Sequence, residues 1–142
     1  MNAKFADICP VFLTDDVIKT TEFYVSKLGF KYAKHFDKSE TFSTVYRDSI
    51  EIIIMQKRKG KVESNTEKYG NGEDAYIVTD TVDGVKDVYN EYLNNGVKII
   101  KEPCITDYGS LEFIFEDVDG RKIGVGRISN KELYFKNSNL LW

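Results

Sequence analysis

The fold is decided by a stretch that occurs twice in related form, first at residues 15–30 as DDVIKTTEFYVSKLGF. Its acidic pair offers a helix N-cap, and apolar or aromatic residues from Val17 to Leu28 then recur at helical spacing. Gly29 follows the last of them, and a glycine in this position ends a helix. The stretch therefore predicts an amphipathic helix that runs into a strand.

The same pattern returns at residues 82–97 as VDGVKDVYNEYLNNGV. Asp83 lies 67 residues after Asp16. Gly96 lies 67 residues after Gly29, so the offset is the same at both ends of the predicted helix. A strand-like segment precedes each helix and three follow it. We therefore predict an α+β fold of two tandem βαβββ modules, whose sheets curve around a shared cleft suited to a small ligand.

These elements define one domain with four parts. A polar, glycine-containing segment divides the chain near its middle and predicts a linker or long loop, because it has almost no apolar periodicity. The sequence DVDG before the last strand predicts a hairpin turn. The predicted parts are module one at 5–56, the linker at 57–72, module two at 73–128 and a C-terminal tail at 129–142. The predicted strands are 6–13, 30–36, 42–47, 50–56, 75–79, 97–100, 111–116 and 122–128.

Composition narrows the class of protein. The chain has 142 residues, of which 42% are hydrophobic and 13% aromatic, enough for one globular core. The net charge of −3 argues against nucleic acid as a main partner. No apolar run approaches the roughly 18 residues that a membrane span needs. The two cysteines, Cys9 and Cys104, lack metal or redox spacing and fit a reducing compartment. We expect a cytoplasmic domain that binds neither membranes nor nucleic acid.

Short motifs follow one another in a fixed order through both modules. They are PVFL at 10–13, DV at 16–17, FY at 23–24, LGF at 28–30, NGV at 95–97, EP at 102–103, YG at 108–109 and DVDGR at 117–121. In order and spacing they resemble the vicinal oxygen chelate superfamily, which includes glyoxalase I, extradiol dioxygenases, and fosfomycin- and bleomycin-resistance proteins. The resemblance spans about residues 8–127.

The resemblance implies four places for metal ligands, on the first and last strands of each module. In this sequence they fall at Cys9, at Glu51, near Asp74 and at Gly124. None is histidine and Gly124 has no side chain, whereas a transition-metal site needs several converging donors. We therefore expect no metal cofactor. If a divalent metal is bound, Glu51, Asp74 and Cys9 are its candidate ligands.

The alternation of side chains along a strand gives candidate ligand-binding residues. Glu51, Ile53 and Met55 share one face of their predicted strand, and if Glu51 holds the family position the other two line the cavity beside it. Gly124 and Gly126 also share a face. They leave room either for a flat ligand or for an aromatic side chain to approach the backbone.

Two further aromatic residues are ligand candidates. Tyr108 matches the family loop that borders the cavity, where it would stack on a ligand or cap the loop. Trp142 ends an apolar tail, which we expect to pack across the cavity mouth or against a second subunit. The predicted ligand-binding set is Glu51, Ile53, Met55, Tyr108, Gly124 and Trp142, and no residue is predicted to be catalytic.

The resemblance to the metal-free, bleomycin-resistance branch implies a small-molecule binding protein, with the homodimer common in that family. It would sequester an aromatic or cationic compound in a hydrophobic cleft. Residues 71–142 carry 13 acidic against 8 basic side chains, which would suit a basic planar guest. Two alternatives remain open. One is a glyoxalase-like lyase or dioxygenase with an atypical divalent-metal site, and the other is a scaffold or regulatory domain with a vestigial cavity.

Overall fold

The computed structural model describes residues 2–33 and 41–138, and Trp142 lies outside them. The chain divides into two compact units, Met1–Val62 and Glu63–Trp142. Each unit holds a four-stranded mixed sheet with a helix against one face. This confirms the predicted α+β fold of two βαβββ modules.

The first unit contains β1 (Val11–Thr14), α1 (Val17–Ser26), β2 (Lys31–Ala33), β3 (Phe42–Arg47) and β4 (Ile50–Gln56). Its sheet has the order β1-β4-β3-β2, with β1 parallel to β4 and the other pairs antiparallel. Asp16 caps α1 as predicted, since its carboxylate accepts a hydrogen bond from the backbone N–H of Lys19. The helix packs Tyr24 against one face of the sheet, where Val45 and Ile54 are fully buried.

The second unit contains α2 (Asn65–Tyr69), β5 (Ala75–Val78), α3 (Val82–Asn94), β6 (Lys98–Ile105), β7 (Ser110–Glu116), β8 (Lys122–Ile128) and α4 (Lys131–Ser138). Its sheet order, β5-β8-β7-β6, repeats that of the first unit. Tyr92 of α3 meets Phe115 of β7 edge to ring, with centroids 5.0 Å apart. Phe113 is fully buried beside them. The aromatic core of this unit therefore lies between α3 and the sheet.

The two helices do not begin at equivalent acidic residues. The structure caps α3 with Thr81, whose hydroxyl accepts a hydrogen bond from the backbone N–H of Gly84 at 3.1 Å. Asp83 instead lies in the first turn, where its negative charge suits the helix dipole. The constant offset therefore holds at Gly29 and Gly96, whose φ angles are 76° and 77°, and not at the helix starts.

The segment predicted as a linker contains the short helix α2. Ser64 accepts a hydrogen bond from the backbone N–H of Glu67, and Gly70 ends the helix with a φ of 88°. Ser and Glu three residues apart are the two ends of a capping box, a signal present in the sequence. The predicted tail is also partly helical, because its first residues form α4.

The strand predicted at 30–36 begins at Lys31, and residues 34–36 lie outside the described part of the chain. Two other strands differ from their predictions by several residues. β1 begins at Val11 and not at residue 6, because only four residues pair with β4. β6 continues to Ile105 through Pro103, with two shifts in register against β7. Proline is tolerated there because β6 is an edge strand.

None of the helices in residues 2–33 and 41–138 combines the length and apolar character needed to cross a bilayer.

Candidate functional site

A polar network lies on the face of the second sheet that α3 leaves uncovered. Glu112 of β7 points to this face and is 5% exposed. The Tyr76 hydroxyl donates to its Oε2 at 2.6 Å, and the Tyr108 hydroxyl donates to its Oε1 at 2.8 Å. Both oxygens of the buried carboxylate therefore have a partner, which offsets the cost of removing the charge from water.

The same network raises the pKa values of the two tyrosine hydroxyls. Burial raises the pKa of Tyr76, and the hydrogen bond to Glu112 raises it further. Burial and the bond to Glu112 likewise raise the pKa of Tyr108 to about 12. Since a carboxylate acceptor favours the protonated phenol, both tyrosines carry their protons at neutral pH.

The glycines of β8 admit the ring of Tyr76. A Cβ added at Gly124 would lie 2.8 Å from Cδ2 of Tyr76. A Cβ at Gly126 would collide with the Tyr76 hydroxyl and would lie 2.8 Å from Cβ of Glu112. Of the two explanations considered for these glycines, the structure shows an aromatic side chain close to the backbone.

A pocket of about 440 Å³ lies over this network, within the second unit. The sheet forms one wall, and α4 forms another. Its lining includes four aromatic side chains and two cations: Tyr76, Tyr108, Tyr134, Phe135, Arg127 and Lys131.

Backbone hydrogen bonds tie the loop that carries Tyr108 to the start of α4. The Gly109 carbonyl accepts from the backbone N–H groups of Ser129 at 2.8 Å and Asn130 at 3.0 Å. Gly109 has a φ of 83°, and a Cβ there would lie 2.6 Å from the Asn130 carbonyl oxygen. A glycine is therefore required at this junction, which holds two walls of the pocket together.

The model of the Glyoxalase/Bleomycin resistance protein/Dioxygenase superfamily matches residues 9–125. The chain belongs to this superfamily. No curated protein sequence matches it significantly.

Solved structures agree at the level of fold. A glyoxalase/bleomycin resistance protein/dioxygenase from Alicyclobacillus acidocaldarius has a TM-score of 0.68 at 13% identity, covering 94% of this chain and 98% of that one. An integron cassette protein from the mobile metagenome of V. Pseudocholerae has a TM-score of 0.64 at 21% identity, covering 92% and 100%. TioX from Micromonospora sp. ML1 has a TM-score of 0.63 at 11% identity, covering 86% and 95%.

In the second unit, the two positions that the sequence resemblance implies for metal ligands, Asp74 and Gly124, make other contacts. The pairing of β5 with β8 sets Tyr76, not Asp74, opposite Gly124. The Asp74 carboxylate accepts from the backbone N–H groups of Asn65 at 2.8 Å and Lys122 at 2.9 Å. Asp74 therefore joins the start of α2 to β8, and the ring of Tyr76 lies where a fourth ligand would begin.

The first unit supplies the other two positions. Ile53 and Met55 lie on the sheet face opposite α1, as alternation predicted, and Glu51 shares that face. The Cys9 thiol donates to Oε2 of Glu51 at 3.9 Å. Burial and the Glu51 charge raise the pKa of this thiol. Glu51, Ile53 and Met55 therefore lie in the first unit, whereas the pocket over Glu112 is built from second-unit residues.

These donors do not fit the metal of the enzymatic members. Within residues 2–33 and 41–138, no three His, Cys, Asp or Glu side chains are grouped closely enough to hold an ion. At the implied ligand positions, the first unit has the Cys9 thiol and the Glu51 carboxylate, and the second unit has Gly124 covered by the ring of Tyr76. A mixed thiol–carboxylate pair is a poor ligand set for a transition metal.

Tyr76 and Glu112, the centre of the polar network, were not predicted from the sequence. A signal for Glu112 was present, because residues 110–116, SLEFIFE, place it opposite the apolar face of Leu111 and Phe113. Nothing in the sequence alone indicated Tyr76 as its partner, since Tyr76 lies 36 residues away on a different strand.

Proposed function

We propose that this protein is a metal-free binding protein that sequesters an aromatic small molecule in the pocket of its second unit. The observation that carries this proposal is the set of four aromatic side chains around about 440 Å³. That volume lies in the range of roughly 300–1,000 Å³ typical of small-molecule sites. Stacked or edge-to-face aromatic contacts contribute about 0.5–1.5 kcal/mol each beyond burial, so a flat guest gains from this lining.

The state of the polar groups supports binding over catalysis. A general acid or base works best when its pKa lies near the working pH. Tyr76 and Tyr108 instead have raised pKa values and donate hydrogen bonds to Glu112. The carboxylate has both oxygens engaged. The network is therefore suited to holding a ligand in one orientation.

The charges around the pocket bear on the choice between an aromatic and a cationic guest. Arg127 and Lys131 line the pocket, and Arg127 also donates to the carbonyl of Thr79 at 3.2 Å. Glu112 lies beneath the tyrosine hydroxyls. Residues 71–142 carry an acidic excess, but the two cations lie in the pocket lining itself. Their repulsion of a positively charged guest therefore acts at shorter range than the attraction of the acidic side chains elsewhere. We therefore propose an uncharged aromatic compound first and a cationic one second.

A charge series on one ring system tests the proposal. Naphthylmethanol, naphthylmethylammonium and naphthoate are titrated into the full chain by calorimetry. We expect naphthylmethanol to bind and to raise the melting temperature by mass action. Phe135→Ala should weaken binding about tenfold, because it removes one aromatic wall. Tyr69→Ala, which alters an exposed tyrosine of α2, is the matched control and should bind as the wild type does.

The outcomes separate the competing functions. Failure of all three compounds to bind, or equal binding by Phe135→Ala, would contradict the proposal. Near-stoichiometric Ni, Zn, Fe or Mn in the purified protein would replace it with the lyase or dioxygenase alternative. A packed pocket that takes no compound would favour a scaffold role.

The proposal includes a homodimer in the cytoplasm. Phe5 and Ile8 precede β1 and are almost fully exposed, which is unfavourable for apolar side chains in water. Neither Cys9 nor Cys104 forms a disulfide, which is compatible with a reducing compartment. Sedimentation equilibrium of the wild type and of a Phe5→Ser, Ile8→Ser variant tests the dimer. A monomeric wild type would contradict this part of the proposal.

A further inference from the structure

On the open face of the second sheet, the hydroxyl protons of Tyr76 and Tyr108 both point toward one carboxylate. Tyr76 and Tyr108 each have a single hydroxyl proton, and both protons go to Glu112. Tyr76 also lies 3.1 Å from the Ser110 hydroxyl. Because the Tyr76 proton is already committed, Ser110 must be the donor in that contact. The sequence of donors therefore runs from Ser110 to Tyr76 to Glu112, and from Tyr108 to Glu112.

This direction determines what the two tyrosines offer a ligand. Both line the pocket, and a phenol whose single proton is engaged in a hydrogen bond can only accept a further one. We infer that the pocket selects aromatic compounds whose polar end carries an N–H or O–H donor, with Glu112 as the positioning residue that imposes the choice. This inference rests on the proposed binding function and adds the chemical class of its ligand.

The acid–base state of the tyrosines agrees with the geometry. Burial raises the pKa of both phenols, and their hydrogen bonds to Glu112 act in the same direction. The bond from Ser110 lowers the pKa of Tyr76, as expected if Ser110 donates to it. Neither tyrosine loses its proton under ordinary conditions, so the acceptor character of the pair persists.

Two cationic side chains of the lining contribute to the orientation of the ligand. Lys131 and Arg127 come from α4 and β8 and are donors only. They complement an acceptor or the π face of an aromatic ring, and they cannot accept a hydrogen bond from an N–H or O–H group. A ligand with a donor at one end is therefore oriented with that end toward Tyr76 and Tyr108.

Two naphthalene compounds test the inference, one with a hydrogen and one with a methyl group on the same oxygen. Naphthol carries an O–H donor, and methoxynaphthalene keeps the ring and the oxygen but lacks the donor. We expect the wild type to bind naphthol about tenfold more tightly, the scale of one hydrogen bond in a partly desolvated site. Tyr69→Ala, which alters an exposed tyrosine of α2 outside the pocket lining, is the control and should keep this ratio.

Two variants act on the cause of the preference. In Glu112→Gln the amide N–H donates to one tyrosine oxygen, and that tyrosine's own proton becomes available to the pocket. The preference for naphthol should fall from about tenfold to about onefold, while naphthaldehyde, which only accepts, should gain affinity. Tyr108→Phe removes one acceptor and should reduce the preference without favouring naphthaldehyde. Circular dichroism and thermal melts check that each variant folds. If Glu112→Gln does not fold, the result for Tyr108→Phe tests the inference.

The failure of this inference differs from the failure of the proposed function. Equal affinity of the wild type for naphthol and methoxynaphthalene would overturn donor selection and leave aromatic binding intact. An unchanged preference in folded Glu112→Gln and in Tyr108→Phe would also overturn it. Binding of neither compound would contradict the proposed function itself.

Discussion

The two modules share one topology but differ on the sheet face that each helix leaves uncovered. In the first unit this face presents Met55, which is 41% exposed, and a thiol–carboxylate contact between Cys9 and Glu51. In the second unit the same face carries Tyr76 and Glu112 in a buried hydrogen-bonded network under a pocket. Strand order and pairing are the same in both, so they do not determine where a site forms. The difference comes from two glycines, which give an aromatic ring room to lie flat on the sheet.

The largest expected effect tests that role of the glycines. Gly124→Ala should cost about 2–3 kcal/mol of unfolding free energy, because its Cβ would lie 2.8 Å from Cδ2 of Tyr76. In a Tyr76→Ala background the same change should cost less than about 1 kcal/mol, because the ring is absent. Urea unfolding of the two single variants and the double variant gives the coupling energy. Equal costs in both backgrounds would show that Tyr76 does not need the glycine.

A smaller effect compares one tyrosine from each module. Tyr108→Phe should destabilise the protein by about 1–2 kcal/mol, because one oxygen of the buried Glu112 carboxylate loses its donor. Tyr46→Phe, at a 41% exposed position of β3, should change stability by less than about 0.5 kcal/mol. Chemical denaturation measures both. A similar value for the two variants would contradict the difference drawn between the faces.

Alkaline pH should weaken the second unit through the same tyrosines. The pKa of Tyr108 rises from 10.0 to about 12 on folding, so the unfolded chain loses this proton first. The contribution of Tyr108 to the unfolding free energy is therefore complete below pH 10 and is lost as the pH rises toward 12. Tyr108→Phe should show a shallower fall in denaturant midpoint over this interval. If the wild type and the variant lose stability in parallel, Tyr108 is not a source of the effect.

The smallest expected effect concerns the first unit. Burial and the nearby Glu51 charge raise the pKa of the Cys9 thiol. Glu51→Gln should therefore increase the rate at which iodoacetamide modifies Cys9 by about twofold near pH 8, since the thiolate is the reactive form. Glu22→Gln alters a carboxylate of α1 that does not act on this thiol and is the control. Mass spectrometry of the Cys9 peptide follows the reaction, and an unchanged rate would remove Glu51 as a cause.

The sequence predicted the elements whose signals are local. The bounds of β3, β4 and β8 agree with alternation and β-branched content, and the left-handed Gly29 and Gly96 end helical segments as expected. Errors arose where two local signals competed. Asp83 and Thr81 are both good caps, and only the backbone shows which one accepts the hydrogen bond.

The site was harder to predict because its contacts join distant strands. Gly124 was identified as a vacancy in a metal site, but its partner Tyr76 is found only once the register of β5 against β8 is known. Likewise, Glu112 stands out as a polar residue among apolar ones, yet its two donors come from a different strand and from a loop. Tyr108 was predicted from its loop and does line the pocket. A pattern along one strand gives the direction of a side chain but not the residue that it meets.

The most direct test of this account is the structure of the protein with naphthol bound. We predict that the ring lies against Tyr134 and Phe135 in the second unit, with its hydroxyl donating to Tyr76 or Tyr108. Naphthol bound on the β4 face of the first unit, or absent from the protein at saturating concentration, would contradict the account.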